Sequence, residues 1–146
     1  MNEINVAQNE PIFTISAAAQ LLKISVHTLR MYEREGLFIP YKKKSNQRLF
    51  SKADIERIQC IRNAINESKI SINGIKAIYS LIPCWDIVKC SEEERKNCGA
   101  FNGEHNPCWT YDHKNVCKER DCRSCEVYSK YSECCMIKEL IKSISR

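Results

Sequence analysis

The chain has 146 residues, of which 28% are charged, and a formal net charge of +5, so it has room for one ordinary domain or two small ones. No stretch is apolar for long enough to span a bilayer, so no membrane partner is expected. The first ten residues are polar and lack the basic and apolar regions of a secretory signal. These features predict a cytoplasmic protein.

Cysteine and positive charge are concentrated in opposite halves of the chain. Nine of the ten cysteines lie between Cys84 and Cys135, whereas residues 1–82 contain only Cys60. Residues 1–82 hold 12 Lys and Arg against 7 Asp and Glu, and residues 83–146 hold 11 of each. In a reducing cytoplasm, clustered thiols more often bind metal or carry out redox chemistry than form permanent disulfides. A basic half attracts phosphate, so we expect a nucleic-acid partner.

Two short helices are predicted first. Apolar spacing favours helices at residues 12–22 and 26–35, with Thr14 and Ser25 as N-caps and Gly36 after the second helix. Two helices joined by a tight turn form a helix-turn-helix, in which the second helix lies in the major groove of DNA. Residues 37–40 and 48–50 flank a basic stretch and are expected to form a two-stranded wing.

Two further helices follow the predicted wing. Ser51 caps the third, with Asp54 three residues later as an acidic capping box, and a serine at position 71 begins the fourth, which ends at residue 82. The residues expected on their buried faces are Ile55, Ile58, Ile61 and Ile65 in the third helix and Ile72, Ile75, Ile78 and Tyr79 in the fourth.

Three strings in this half resemble the MerR-type transcription regulators, with the closest likeness to the heat-shock-repressor branch. They are Thr-Ile-Ser-x3-Gln-Leu at 14–21, Thr-Leu-Arg-Met-Tyr-Glu-Arg-Glu-Gly-Leu at 28–37 and Asn-Gln-Arg-Leu-Phe-Ser-x2-Asp-Ile at 46–55. The resemblance covers about residues 12–82. It implies a winged helix-turn-helix fold, a homodimer, an inverted-repeat operator in double-stranded DNA, and RNA polymerase at the promoter as a further partner.

By position, the resemblance also implies a set of DNA-binding residues. For the recognition helix and its phosphate contacts these are Thr14, Ser25, His27, Thr28, Arg30 and Tyr32, and for the wing they are Tyr41, Lys42, Lys43, Lys44 and Arg48. A guanidinium and a phenol can hold phosphate oxygens, and side chains in the first turn of the recognition helix reach base edges. The sequence departs from the family at Phe50, where tyrosine is frequent, and at positions 46–47, where a glycine-rich tip is common.

The second half is predicted to be a cysteine-rich metal or cluster module. Its candidate ligands are Cys84, Cys90, Cys98, Cys108, Cys117, Cys122, Cys125, Cys134 and Cys135. Pro-Cys-Trp occurs at 83–85 and again at 107–109, as in a degenerate repeat, and Trp85 and Trp109 are expected to cover the bound group. This half resembles cysteine-tryptophan modules appended to bacterial regulators and sensors.

Three chemistries fit this half. Cys117-x4-Cys122-x2-Cys125 matches plant-type iron–sulfur spacing, which requires a fourth thiolate from elsewhere in the module. The alternative metal is zinc, with Cys122-x2-Cys125 as one half-site and His105 or His113 as supplementary ligands. The third possibility is a thiol–disulfide switch between close cysteines.

The predicted fold is mainly α. It comprises a flexible arm at 1–11, a winged helix-turn-helix domain of four helices and a small β wing at 12–82, an irregular cysteine-rich module at 83–126, and an amphipathic C-terminal helix at 127–146. That helix either forms the dimer seam or packs over the module.

The predicted function is a DNA-binding transcriptional regulator whose cysteines sense redox state or metal. The alternative is a DNA-binding or architectural factor with a purely structural zinc site. An enzyme is not predicted, because the chain has no glycine-rich phosphate loop and no recognisable pairing of a nucleophile with a base.

Overall fold

The computed structural model of the chain describes residues 7–103, 105–111 and 121–132. The chain divides into two compact units, Met1–Ser68 and Lys69–Arg146. Within the described ranges the regular structure is helical apart from one three-stranded sheet. No helix in these ranges combines the length and the apolar character that crossing a membrane requires.

The first unit begins with β1 (Phe13–Thr14), α1 (Ile15–Leu22) and α2 (Val26–Arg34). The first helix starts three residues later than predicted, because the residues before Ile15 pair with a strand instead. Both predicted N-caps are confirmed: their side-chain oxygens accept hydrogen bonds from backbone N–H groups three residues ahead. Gly36 has a φ of 76°, the left-handed conformation expected of a glycine that follows a helix.

The wing is built from β2 (Tyr41–Lys42) and β3 (Arg48–Phe50), which form an antiparallel sheet with β1 in the order β1-β3-β2. The prediction that residues 37–40 form a wing strand was wrong, because Leu37 and Phe38 are buried in the core. The turn between β2 and β3 closes through Asn46, whose N–H donates to the Lys43 carbonyl at 2.8 Å. Asn46 has a φ of 66°, so asparagine adopts the left-handed conformation for which the family commonly uses glycine.

Helix α3 (Lys52–Asn66) carries the predicted capping box. Ser51 Oγ accepts from the Asp54 N–H at 3.1 Å, and Asp54 Oδ2 accepts from the Ser51 N–H at 2.8 Å. Both residues are buried, so these bonds satisfy polar groups that water cannot reach. The apolar core of this unit consists of Ala18, Ala19, Leu22, Leu29, Tyr32, Leu37, Phe38, Leu49, Phe50, Ile58 and Ile61. Leu21, near the end of α1, is 57% exposed.

The second unit contains α4 (Ile72–Ser80), α5 (Cys84–Ile87), α6 (Glu92–Lys96) and α7 (Gly99–Asn102), followed by a 3₁₀ turn (Cys108–Thr110) and a π-helical turn (Val127–Tyr131). The sequence assigned α4 to the DNA-binding half, but its Tyr79 ring lies 5.3 Å from the Trp109 ring and joins it to the cysteine-rich unit. Ile78 was expected to be buried and is exposed. Most of the C-terminal helix predicted at 127–146 lies outside the described residues.

Aromatic contacts dominate the described core of the second unit. Trp109 lies between two tyrosines, with ring centroids 5.3 Å from Tyr79 and 5.1 Å from Tyr128. Trp85 makes an edge-on contact of 5.0 Å with Phe101. The residues buried with these rings are Ile75, Ile82, Ala100, Pro107, Cys125 and Val127. The two Pro-Cys-Trp tryptophans therefore each anchor a separate aromatic contact.

Two capping boxes within the described ranges allow a matched test of burial. Ser51→Ala is expected to lower the free energy of unfolding by about 1–2 kcal/mol, because it leaves the buried Asp54 N–H without an acceptor. Ser91→Ala removes the same motif from the exposed helix α6 and is expected to cost about 0.5 kcal/mol. Urea unfolding followed by circular dichroism measures both. Equal costs for the two substitutions would contradict this account.

Candidate nucleic-acid interface and cysteine cluster

Helix α2 presents one face to the core and the other to solvent. Leu29 and Tyr32, three residues apart, are buried on the inner face, whereas His27 and Arg30 are exposed. Ser25 caps the helix and its Oγ lies 2.9 Å from Thr28 Oγ1, so these two hydroxyls are hydrogen-bonded to each other. The first turn of α2 therefore offers the His27 imidazole and the Thr28 hydroxyl to a ligand.

Tyr32, which the resemblance assigns to a phosphate contact, is largely buried. The residue is only 2% exposed, and its hydroxyl accepts a hydrogen bond of 3.2 Å from Arg62 Nη1 in α3. Its ring therefore packs α2 against α3. The phosphate contact of its hydroxyl stays a prediction.

Arg48 joins the wing to α2. Its Nε and Nη2 donate to the two carboxylate oxygens of Glu33, at 2.5 and 2.9 Å. The Glu33 hydrogen bond raises the pKa of Arg48 above its ordinary value, although partial desolvation opposes the shift. The pair is only partly exposed, and a bidentate ion pair of this kind fixes orientation as well as distance. Sequence reasoning missed Glu33; the signal available was an acidic residue next to the basic Arg34 in the family string.

An open cleft of about 430 Å³ lies between α1, α2 and the wing. Its walls are the start of α1 at 14–16, Arg30 of α2, and the wing residues 46–48. The N-terminus of a helix attracts anions, and two guanidinium groups border the same space. The cleft is therefore suited to an oxyanion such as a backbone phosphate. Ser16, Asn46 and Gln47 line it and were not predicted, because only the folded chain brings them to Arg30.

The remaining predicted wing residues lie on the surface beside the cleft. Tyr41 is 42% exposed, and the lysines at 42–44 are exposed along β2 and the turn that follows it. Thr14 caps α1 at the mouth of the cleft. Of the predicted DNA-binding residues, Thr14, Arg30 and Arg48 line the cleft.

Six of the nine predicted ligand cysteines lie within the described residues and are present as thiols. They are Cys84, Cys90, Cys98, Cys108, Cys122 and Cys125, while Cys117, Cys134, Cys135 and His113 lie outside the described ranges. Among the described residues, no three Cys, His, Asp or Glu side chains are grouped closely enough to form a ready-made metal site. The iron–sulfur spacing, which depends on Cys117, stays a prediction.

Four of these thiols nevertheless influence one another. A hydrogen bond with Cys108 lowers the pKa of Cys84, and the same bond raises the pKa of Cys108 far above its usual range. Burial raises the Cys108 pKa further, as do the nearby charges of Cys122 and Cys125.

A double-mutant cycle tests the link between α2 and the wing. Glu33→Gln and Arg48→Met are each expected to destabilise the chain, because each leaves a half-buried partner without its bidentate hydrogen bonds. The double variant should cost less than the sum, with a coupling energy of about 1–2 kcal/mol in urea unfolding. A coupling energy near zero would show that the pair does not restrain the wing.

Comparison with known proteins places this surface in a family. Residues 13–81 match the MerR HTH family regulatory protein. The heat shock protein HspR of Streptomyces coelicolor is 34% identical over 80 residues, which are 55% of this chain and 53% of the relative. The HTH-type transcriptional regulators GlnR of Bacillus anthracis and Bacillus cereus are each 30% identical over 71 residues, which are 49% of this chain and 54% of theirs.

The chain spans about half the length of the curated relatives that it matches. These relatives are named as regulators and a heat shock protein, in agreement with the prediction that the chain is not an enzyme. The likeness to MerR-type proteins predicted from the three sequence strings is confirmed. Residues 13–81 form a helix-turn-helix domain of the MerR family.

Proposed function

We propose that this protein is a transcription regulator that binds an inverted-repeat DNA operator as a homodimer and responds to redox state or metal through its cysteine-rich unit. The observation that carries the DNA-binding role is the cleft in which the start of α1, Arg30 and Arg48 converge. Arg30 belongs to α2, whose first turn exposes His27. Phosphate and base contacts can therefore be made from one helix.

Each part of this surface has a distinct role in the proposal. Helix α2 enters the major groove, where His27 and Thr28 read base edges. A backbone phosphate occupies the cleft, held by Arg30 and the first turn of α1, and fixes the register of the helix. The wing lysines contact neighbouring phosphates and add affinity that does not depend on sequence.

The Glu33–Arg48 pair positions the wing rather than reading DNA. Because Arg48 already donates two hydrogen bonds to Glu33, its orientation is set before DNA arrives. Less conformational freedom is then lost on binding, which favours affinity. The same pair keeps the positive charge of Arg48 at the edge of the cleft without letting the side chain move away.

Dimerisation and signalling belong to the second unit in this proposal. A two-fold symmetric dimer requires an operator with two inverted half-sites. Residues 127–146 are the proposed dimer helix. A change at the cysteines alters the distance between the two recognition helices, and this alters operator affinity or the promoter shape presented to RNA polymerase. The protein acts in the reducing cytoplasm, where these thiols stay available.

The proposed cofactor is an iron–sulfur cluster or zinc. Nine cysteines in the second half of the chain supply more than enough thiolates for either. The competing function is a DNA-binding or architectural factor in which zinc only supports the fold. In that case operator affinity would not change with oxidation or with metal removal while the fold is retained.

Two substitutions distinguish residues that contact bases from residues that contact phosphates. Operator sequences are first selected from random duplexes with the full chain and are expected to be inverted repeats. His27→Ala should weaken the preference at one position of each half-site by about 1 kcal/mol and leave the salt dependence of binding unchanged. Lys43→Ala should reduce the logarithmic salt slope by about 0.9 per chain and leave the sequence preference unchanged.

Lys96→Ala is the matched control, since it removes the same charge from α6 in the second unit. Its affinity and salt slope should equal those of the unmodified chain. Fluorescence anisotropy over a series of salt concentrations measures all three variants. If Lys96→Ala reduces the slope as much as Lys43→Ala does, the proposed surface is not the one that contacts DNA.

The cofactor is tested on protein purified without oxygen. Bound iron and sulfide with broad absorption near about 400 nm are expected for a cluster, whereas zinc without colour is expected for the alternative metal. Operator affinity is then compared before and after oxidation, with the dimer mass checked by light scattering. A dimer whose operator affinity changes supports the sensor, and an unchanged affinity supports the structural alternative.

A further inference from the structure

Arg62 of α3 is joined to α2 by a single hydrogen bond. Its Nη1 donates to the Tyr32 hydroxyl at 3.2 Å, across 30 positions of the sequence. Tyr32 is buried, whereas Arg62 is half-buried. The phenol is therefore held in place by its packing, and its hydroxyl in turn fixes one edge of the guanidinium.

The positive charge of Arg62 has no acidic partner in the part of the chain that the structure describes. Its one hydrogen bond there goes to a neutral phenol, whereas Arg48 and Arg95 each form an ion pair with a carboxylate. The positions three and four residues away along α3, which share its face of the helix, are apolar or neutral: Ile58, Gln59, Ile65 and Asn66. The charge of Arg62 is thus available to an anion from outside the chain.

Partial burial makes this charge a stronger ligand for an anion than a charge on open surface. A half-buried guanidinium has given up part of its hydration and gains no ion-pair energy in return. Water and salt also screen such a position less, so an approaching anion is attracted more strongly. The planar fork of an arginine matches the oxygens of a phosphate, and only one of its N–H groups is used by Tyr32.

Tyr32 brings this fork to the end of α2 that carries the proposed base contacts. Side chains on a helix lean toward its N-terminus, so the Tyr32 ring covers the turn that begins four residues earlier at Thr28. Thr28 and the exposed His27 belong to the first turn of α2, which Ser25 caps. Arg62 therefore meets α2 toward the end that faces the duplex in the proposed function.

We propose that Arg62 binds a DNA backbone phosphate and that the Tyr32 hydroxyl is the group that positions its guanidinium. This inference rests on the proposed function and adds to it a phosphate contact from α3, a helix that carries none of the predicted DNA-binding residues. Tyr32 serves DNA binding through Arg62, which reconciles its burial with its place in the family string. Because the guanidinium is already oriented, less conformational freedom is lost when the phosphate binds.

The salt dependence of operator binding distinguishes the phosphate ligand from the residue that positions it. The full chain and its variants are titrated against the selected inverted repeat, and fluorescence anisotropy is recorded over a series of salt concentrations. Arg62→Gln removes one charge, so it should weaken binding about tenfold and reduce the logarithmic salt slope by about 0.9 per chain. Tyr32→Phe removes only the acceptor, so it should weaken binding less and leave the slope unchanged.

Three further variants serve as controls. The double variant of Tyr32→Phe with Arg62→Gln should bind like Arg62→Gln alone, because Tyr32 has nothing to position once the guanidinium is absent. Arg62→Lys keeps the charge without the planar fork, so it should keep the slope and lose part of the affinity. Lys96→Gln removes a charge from the exposed helix α6 and should change neither quantity. Urea unfolding establishes that each variant is folded when its binding is measured.

Three results would overturn the assignment. The first is an Arg62→Gln chain that keeps the salt slope of the unmodified chain, and the second is a slope reduced equally by Lys96→Gln. The third is additivity of the two single variants in the double variant, which would assign the phosphate contact to the Tyr32 hydroxyl itself. If Arg62→Gln does not fold, an Arg62→Lys chain with unchanged affinity leads to the same conclusion, because the fork is then not used.

Failure of this inference is distinguishable from failure of the function on which it rests. If the unmodified chain selects no inverted repeat from random duplexes, the proposed function fails. If it binds the repeat, and Lys43→Ala reduces the salt slope while Arg62→Gln does not, the proposed function stands and the role of Arg62 fails.

Discussion

The recognition helix and the wing must meet the same duplex together, and the ion pair between Glu33 and Arg48 sets their separation. Arg48 lies on β3, the central strand, which pairs with β1 on one side and with β2 on the other. The ion pair therefore restrains the whole sheet. Since α1 starts where β1 ends, the N-terminus of α1 is brought to the same cleft. One half-buried ion pair thus links the cleft, α2 and the basic turn through the small sheet.

The second unit is organised by different forces. Its described core relies on aromatic contacts around Trp109 and Trp85. A small domain with a limited apolar core is commonly stabilised by a bound metal ion, because the ion binds the folded state and not the unfolded chain. In such a unit, loss of the ion and loss of local order are the same event.

Local features of the fold were predictable, and contacts distant in the sequence were not. The caps at Thr14, Ser25 and Ser51 follow from side chains that bond their own backbone within three residues, so a short window contains the whole signal. The burial of Tyr32 and the pairing of Arg48 with Glu33 depend on how α2 meets α3 and the wing. For the cysteines, the Cys-x2-Cys turn could be read from spacing. The partnership of Cys84 with Cys108 could not, because it arises only when two distant triplets fold together.

The division of the chain after Ser68 has a consequence for how such proteins diversify. The family match extends to residue 81 and includes α4, yet the Tyr79 ring of α4 packs on Trp109 of the cysteine-rich unit. Recombination that joins a different module after residue 81 would separate the Tyr79 ring from Trp109. Recombination after Ser68 moves both rings together. A module joined at that point would therefore carry α4 together with the cysteine-rich unit, although the family match includes this helix.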